Sequence, residues 1–306
     1  MDCPVLVTLY NRPNITRRLF RALEEVQPNR LFVASDGPVN DGNSAKLVSE
    51  VREIVATSVT WECEVKTLYN NTNLGCRVGM VTALDWFFSQ VPEGVILEDD
   101  CIPHPNFFTF AEAFMDRYRD DKRVWGFSGD NSMGLPKIHR GRSLLFTRYP
   151  LIWGWASWAD RWKEFDRNLE NFEHRDGASL NWNNALERLV FEPRLTEAAK
   201  NSEYDAWGIF LSWTVLSNQG LWGVSTQNLI SNIGFGEDAT HTKEIDSRAS
   251  APVKPLGRIP LLPDQPKAYW TTDLHLLMSV FKAHHLVLAN LIKRARYSRV
   301  GRGKNA

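Results

Sequence analysis

Through the first 130 residues, short β-rich apolar runs alternate with segments of helical period. That alternation predicts a mostly parallel sheet covered by helices. Val5 to Leu9 reads as a buried strand, and after Asn11-Arg12-Pro13 the residues Leu19, Phe20, Leu23 and Val26 share one helical face. Leu31 to Ala34 gives a second strand, stopped by Ser35-Asp36-Gly37-Pro38, and Ala45 to Ala56 the next helix. Cys63 to Leu68 is strand three, Cys76 to Gln90 the third helix, and Val95-Ile96-Leu97 a fourth strand ending in Glu98-Asp99-Asp100. Phe107 to Tyr118 and Val124 to Ser128 continue the pattern.

After Gly129 the alternation is lost and Trp153, Trp155, Trp158 and Trp162 crowd one segment. Helical patterns recur around Asn184 to Phe191 and Asp205 to Ser217, and Trp222 to Ser225 and Asn228 to Ile230 read as short strands. Pro252, Pro255, Pro260, Pro263 and Pro266 cannot sit inside regular elements, so an extended surface connection should lead to a final helix near Thr272. Three regions follow: 1–130, 131–246 and 247–306.

With 43% hydrophobic and 24% charged residues, the 306-residue chain is expected to be an ordinary globular protein rather than disordered, collagen-like or disulfide-built. Thirty-six basic against 36 acidic residues give no net charge, which argues against a general nucleic-acid binder. Met1-Asp2-Cys3-Pro4 runs straight into the first strand, and no stretch of about 18 apolar residues occurs. The expectation is a chain without leader or membrane span, located in the cytoplasm. Cys3, Cys63, Cys76 and Cys101 lack C-x-x-C spacing and read as reduced.

In an open α/β sheet, ligands bind beyond the carboxyl ends of the strands. The predicted strand ends carry Thr8-Leu9-Tyr10-Asn11-Arg12, Asp36-Gly37, Asn73-Leu74-Gly75 and Glu98-Asp99-Asp100. Three consecutive acids repel one another, an arrangement best tolerated with a cation among them; oxygen ligands favour Mg²⁺ or Mn²⁺. The alternative is a strand simply emerging into solvent. Alternation would turn Glu98 and Asp100 to one side and Asp99 to the other.

Val95-Ile96-Leu97-Glu98-Asp99-Asp100, followed by Cys101-Ile102-Pro103-His104-Pro105-Asn106-Phe107-Phe108, resembles the acidic motif and downstream Pro/Phe segment of GT-A glycosyltransferases. The N-acetylglucosaminyltransferase I-like branch is the most similar, and bacterial sequences bearing a hemolytic-protein label resemble it too. The resemblance spans roughly residues 4 to 130 and extends more diffusely to about 242. It implies a GT-A, Rossmann-like sheet binding a nucleotide-sugar donor in 1–130, an irregular α+β acceptor-binding and catalytic half in 131–246, and a C-terminal helix. It also implies that Asp100 binds Mn²⁺ or Mg²⁺, that Asp99 approaches the ribose or metal-bound water, and that Glu98 supports the loop. Asp36 would meet the nucleobase, and Thr8, Tyr10 and Arg12 the base and diphosphate. Asn73, Gly75 and Arg77 open the third helix, whose N-terminus and guanidinium favour a phosphate or an oriented sugar.

Departure of a nucleoside diphosphate builds negative charge that a bound metal stabilises. If configuration inverts, as the resemblance implies, a carboxylate must deprotonate the acceptor hydroxyl. Asp205 and Glu203 are the candidates, Asp205 ranked first by its place before Ala206-Trp207, although an acid there would also serve as a helix cap. A late histidine completes the metal shell in many GT-A enzymes, which the resemblance implies for His241; a surface or structural histidine is the other reading. One of the clustered tryptophans could face a sugar, the rest being core. Asp130 ends the fifth strand near the same rim, either as an acceptor contact or, the preferred reading, as a turn former.

The reaction expected is transfer of a sugar, from a UDP-sugar above all, to a hydroxyl on a glycan or lipid-linked precursor. A non-catalytic carbohydrate-binding protein and a nucleotidyltransferase on a related fold are the alternatives; the latter usually has a Gly-rich first loop, which Tyr10-Asn11-Arg12-Pro13-Asn14 lacks. At the C-terminus, Leu274, Leu277, Phe281, Leu288, Leu291 and Ile292 share a predicted helical face, followed by Lys293, Arg294, Arg296, Arg299, Arg302 and Lys304. Such a tail suits peripheral contact with anionic lipid; a packed last helix with a solvated end is the other reading.

Overall fold

The computed structural model describes residues 1–134, 141–173, 182–235, 251–256 and 261–288. The first half follows the predicted order: β1 (Val5–Leu9), α1 (Pro13–Glu24), β2 (Arg30–Ser35), α2 (Gly42–Ser58), β3 (Glu64–Tyr69), α3 (Gly75–Phe88) and β4 (Glu93–Glu98). A short β5 (Cys101–Pro103) precedes α4 (Pro105–Tyr118) and β6 (Val124–Ser128). The second half contributes β7 (Leu144–Thr147), β8 (Trp155–Trp158), α5 (Ala159–Trp162), α6 (Glu170–Glu173), α7 (Ala185–Lys200), α8 (Gly208–Ser217), β9 (Leu221–Ser225), β10 (Ile230–Asn232) and α9 (Trp270–Ser279).

Eight strands form one mixed, mostly parallel sheet in the order β3-β2-β1-β4-β8-β6-β9-β7, flanked by helices. This is the expected α/β class. Strands β3, β2, β1 and β4 run parallel, whereas β8 enters antiparallel between β4 and β6. Strands from both sides of residue 130 therefore share one sheet.

The central strands β2, β1 and β4 are buried on both faces, as helix-covered parallel strands require, while the edge strand β3 is largely exposed. Val5, Val7, Val33, Val95 and Leu97 pack on one face with Leu19, Phe20 and Phe107. Leu6, Phe32 and Ile96 pack on the other with Leu84, Phe87 and Trp155. The period-two alternation of the sequence thus supplies two cores rather than one wet and one dry face.

Three expectations need correction. The helix expected from Asp205 begins at Gly208, because Asp205 is turned toward α3. The strand expected at Asn228 to Ile230 is Ile230–Asn232, because the Asn228 side chain is drawn to the Ala251 and Pro252 carbonyls, each at 3.3 Å. The shared C-terminal face is not continuous: α9 stops at Ser279 and Lys282 has φ 56°, so residues 283–288 start a new helical segment. Leu277 is buried while Leu274 and Leu288 are exposed. Leu291, Ile292 and the basic tail lie outside the described residues. Among the described residues no helix is long and apolar enough to cross a membrane.

Candidate functional site

A cavity of about 520 Å³ opens at the carboxyl ends of β1, β2 and β4, within the range of small-molecule sites. It brings together Thr8, Tyr10, Arg12, Asp36, Asn73, Gly75, Glu98, Asp99, Asp100 and Asp205. Arg77 and Glu203 are not part of its wall, and His241 lies outside the described residues. Parallel register sets the entrance, with Thr8 beside both Ala34 and Glu98.

The acidic strand end is neutralised from within the chain. Arg12, the residue before α1, forks onto Asp99: Nε donates to Oδ2 at 3.0 Å and Nη2 to Oδ1. The same Nη2 donates to Asp100 Oδ2 at 3.2 Å. The side-to-side alternation expected of the triplet ends with β4 at Glu98, because Asp99 and Asp100 lie in a turn and both reach Arg12. Burial works against the Arg12 charge, yet the two carboxylates push its pKa up. Burial, then the neighbouring acids, pushes Glu98 up to about 8, which leaves its carboxyl mainly protonated at neutral pH. Burial also raises Asp99, to about 6, with Arg12 opposing the rise. The Arg12 guanidinium, with burial favouring the neutral form of Glu98, eases the repulsion among the three adjacent acids.

Asp36 is a loop clamp as well as a wall residue. Its carboxylate accepts from the Gly37 amide at 2.9 Å, Asn73 Nδ2 at 3.0 Å and Asn70 Nδ2 at 3.2 Å. The Leu74 amide donates to both oxygens, at 3.0 and 3.1 Å. Asn73 Oδ1 accepts from the Gly75 amide at 3.2 Å, so Asn73 shapes the turn into α3. Gly75 has φ +78°, a conformation glycine adopts without steric cost. Tyr10 shares a 3.3 Å hydrogen bond with Ser44 Oγ of α2.

Asp205 caps a helix, but not its own. Oδ2 accepts from the Cys76 amide at 3.0 Å and Oδ1 from the Arg77 amide at 2.8 Å, so the carboxylate sits on the N-terminus of α3. The amides expected to favour a phosphate are therefore already occupied. The Arg77 guanidinium turns away from the cavity: Nη2 donates to the Ser202 carbonyl at 2.8 Å and the group lies 5.1 Å from the Phe210 ring centroid. Glu203 is exposed. Cys76 lines the cavity beside these acids; burial, then Glu98, Asp205, Asp100 and Asp36, pushes its thiol up to about 12. It stays a thiol, and all four cysteines are free.

The far wall comes from a ribbon whose residues Asn232, Gly234 and Phe235 are not among the expected site residues. β10 pairs antiparallel with β5, setting Asn232 opposite Cys101. Asn232 Nδ2 then donates to Asp100 Oδ1 at 3.2 Å, and the Ile233 amide to the Asp100 carbonyl at 2.9 Å. Gly234 lies so close that a Cβ there would overlap Asp100 Oδ2. The run Asn228 to Gly234, rich in short polar residues and glycine, is the signal that could have marked this segment. Of the four clustered tryptophans only Trp153 reaches the cavity, edge-on to Phe235 at 5.6 Å; Trp155, Trp158 and Trp162 are core. Asp130 Oδ1 accepts from the Ser132 amide at 2.9 Å, forming a turn.

Among the described residues no three His, Cys, Asp or Glu side chains are grouped to hold a metal ion. Asp100, however, offers a hard carboxylate at the cavity wall that Arg12 contacts through only one oxygen. That donor fits an ion of the Mg²⁺ type held by one or two carboxylates and otherwise by substrate phosphate and water.

No protein-family model matches the sequence, and no curated protein matches it. Solved structures similar to it include UDP-glucose pyrophosphorylase complexed with UDP-glucose, at 6% identity and TM-score 0.37, covering 74% of this chain and 90% of that one. Mouse xyloside xylosyltransferase 1 in its apo form gives 10% identity and TM-score 0.35, covering 72% and 82%. HddC from Yersinia pseudotuberculosis gives 9% identity and TM-score 0.31, covering 51% and 77%.

Proposed function

We propose that this chain is a metal-dependent glycosyltransferase of the N-acetylglucosaminyltransferase I-like kind, moving a sugar from a nucleoside-diphosphate donor, best a UDP-sugar, to a hydroxyl of a glycan or lipid-linked acceptor. The observation that carries this reading is the meeting of the Glu98-Asp99-Asp100 tip, Arg12 and Asp205 in one cavity at the strand ends. Ala34, Leu68 and Met80 give that cavity an apolar wall suited to a flat nucleobase.

Asp100 would hold Mn²⁺ or Mg²⁺, which when bound supplies Lewis-acid stabilisation of the leaving diphosphate. Arg12 keeps Asp99 oriented and places fixed positive charge beside the departing group. Asp205 uses one lone pair on each oxygen for the α3 amides, which leaves others to accept the acceptor hydroxyl proton. The acceptor oxygen then bonds the anomeric carbon while the bond to the diphosphate breaks with its electron pair, inverting the configuration. Asp205 takes this role over Glu203 because only Asp205 faces the cavity.

The alternatives have less support. A nucleotidyltransferase usually has a Gly-rich first loop, which Tyr10-Asn11-Arg12-Pro13-Asn14 lacks. A lectin platform needs exposed aromatics, and three of the four clustered tryptophans are buried.

Calorimetric titration with UDP tests the proposal. Binding should require Mn²⁺, disappear with chelator, and be lost in Asp100→Ala. Equal binding by wild type with and without metal would overturn it.

A further inference from the structure

We infer, resting on the nucleotide-sugar reading above, that Asn70, held in place by Arg52, is the residue that reads the nucleobase, and that its side-chain carbonyl selects uracil over cytosine. A carboxylate offers about four acceptor sites. Those of Asp36 already meet four donor groups, the Gly37 and Leu74 amides and the side-chain amides of Asn70 and Asn73. Asp36 is therefore spent on shaping the loop, and the base must be read by a neighbour.

Asn70 follows β3 directly and lines the cavity with Ala34 and Leu68, which are partners in the β2–β3 register. It is pinned at three atoms. Its backbone N–H donates to the Ser35 carbonyl at 3.0 Å, its carbonyl accepts from Arg52 Nη2 at 2.7 Å, and its Nδ2 donates to Asp36 Oδ1 at 3.2 Å. An ionised carboxylate can only accept, so this last contact fixes which way the amide faces. The Asn70 Oδ1 is left as an oriented acceptor that takes no hydrogen bond from the described residues. Arg52, half-buried on α2, does not line the cavity. Its Nη2 also donates to the Asp36 carbonyl at 3.2 Å and the Ser35 carbonyl at 3.4 Å, its Nε donates to Ser35 Oγ at 3.2 Å, and its guanidinium lies 4.7 Å from the Tyr69 ring centroid. One planar fork thus ties the ends of β2 and β3 together, which makes Arg52 a positioning residue for Asn70.

The sense of the hydrogen bond decides the base. Uracil carries a hydrogen on N3 and donates it to Oδ1, whereas cytosine presents a lone pair at N3 that would face the lone pairs of Oδ1. Two acceptors brought together in a partly closed site lose a hydrogen bond and leave both groups unsatisfied. Ala34, Leu68 and Met80, the apolar residues of this wall, offer cytosine no side-chain donor in exchange.

Calorimetry in Mn²⁺ with UDP, CDP and UDP methylated at N3 tests this on the full chain. Wild type should bind UDP at least about tenfold tighter than either of the other two. Asn70→Ala should bring the three affinities to within about threefold of one another. The ratio is the quantity read, because a loop that is merely loosened weakens every nucleotide alike. Arg52→Lys keeps the charge but not the fork, and should lower the ratio while Asn70 itself is intact. The methylated nucleotide is measured on wild type, so the answer stands even if a variant fails to fold. Equal binding of UDP and its N3-methyl form by wild type, equal binding of UDP and CDP, or a wild-type ratio in either variant would overturn the inference and leave the nucleotide-sugar reading standing. Wild type that binds none of the three nucleotides would overturn both.

Discussion

Arg12 Nε donates to Asp99 Oδ2 at 3.0 Å across 87 residues of sequence, and through this contact the first βα loop supplies the cation that the end of β4 demands. Removing one partner of a buried pair leaves an uncompensated charge, so Arg12→Gln should cost about 3–5 kcal/mol in chelator. Added Mn²⁺ then replaces the missing charge and should raise the melting temperature more in the variant than in wild type. Identical shifts would show that the ion and the guanidinium do not share the acids.

Gly234 tests the same corner by volume. Its φ is not in the left-handed region, so the constraint is space: a Cβ would collide with Asp100 Oδ2. Gly234→Ala should cost about 1–3 kcal/mol as an overpacking change. It should also weaken Mn²⁺-dependent UDP binding by displacing the carboxylate, whereas Asn232→Ala, which removes one hydrogen bond to Asp100 without crowding it, should affect binding less. Calorimetry on both variants checks the order.

The sheet end formed by β1 and β4 is legible in the sequence because local signals agree. Val5 to Leu9 and Val95 to Leu97 are apolar runs closed by polar residues, and a parallel sheet places such strand ends together. The triplet's need for a cation was legible too, but not that Arg12 meets it, since a salt bridge across 87 residues has no local pattern. The place of Arg77 at the start of α3 suggests a phosphate contact, but no local pattern shows that Asp205, 129 residues away from Cys76, takes the Cys76 amide or that the Arg77 guanidinium meets the Ser202 carbonyl. Strand β8 inserts antiparallel between β4 and β6, and that tertiary choice decides which tryptophans are core. Only the assembled cavity distinguishes Trp153 from Trp155.

Asp205 and Glu203 are separable by substitution. Asp205→Asn keeps the shape but presents an amide to two backbone N–H groups, and loss of such a cap costs about 1 kcal/mol. It should lower the melting temperature and abolish sugar transfer while Mn²⁺-dependent UDP affinity stays within about twofold, since a base acts on the acceptor side. Glu203→Gln, on an exposed side chain outside the cavity, should change none of the three. A turnover assay beside thermal melting and calorimetry separates the two residues, and loss of transfer in Glu203→Gln alone would reverse their roles.

Glu98 should give the fold a pH dependence opposite in sign to that of an ordinary salt-bridged carboxylate. Burial, followed by Asp100 and Asp99, raises its folded pKa to about 8, whereas an unfolded glutamate titrates at about 4.3. Between those values the folded chain holds a proton that the unfolded chain has released. Stability therefore falls as pH rises through the window, and the loss is complete only above the folded value. Removing Asp99 or Asp100 would disturb the Arg12 fork, so the clean variant is Glu98→Gln, which keeps a neutral side chain of the same size at every pH. Melting in chelator at about pH 5.5 and about pH 8.5 should show wild type losing more stability than Glu98→Gln over the interval. Parallel slopes for the two proteins would mean that Glu98 is ionised in the native state and that Arg12 alone carries the neutralisation of the strand end.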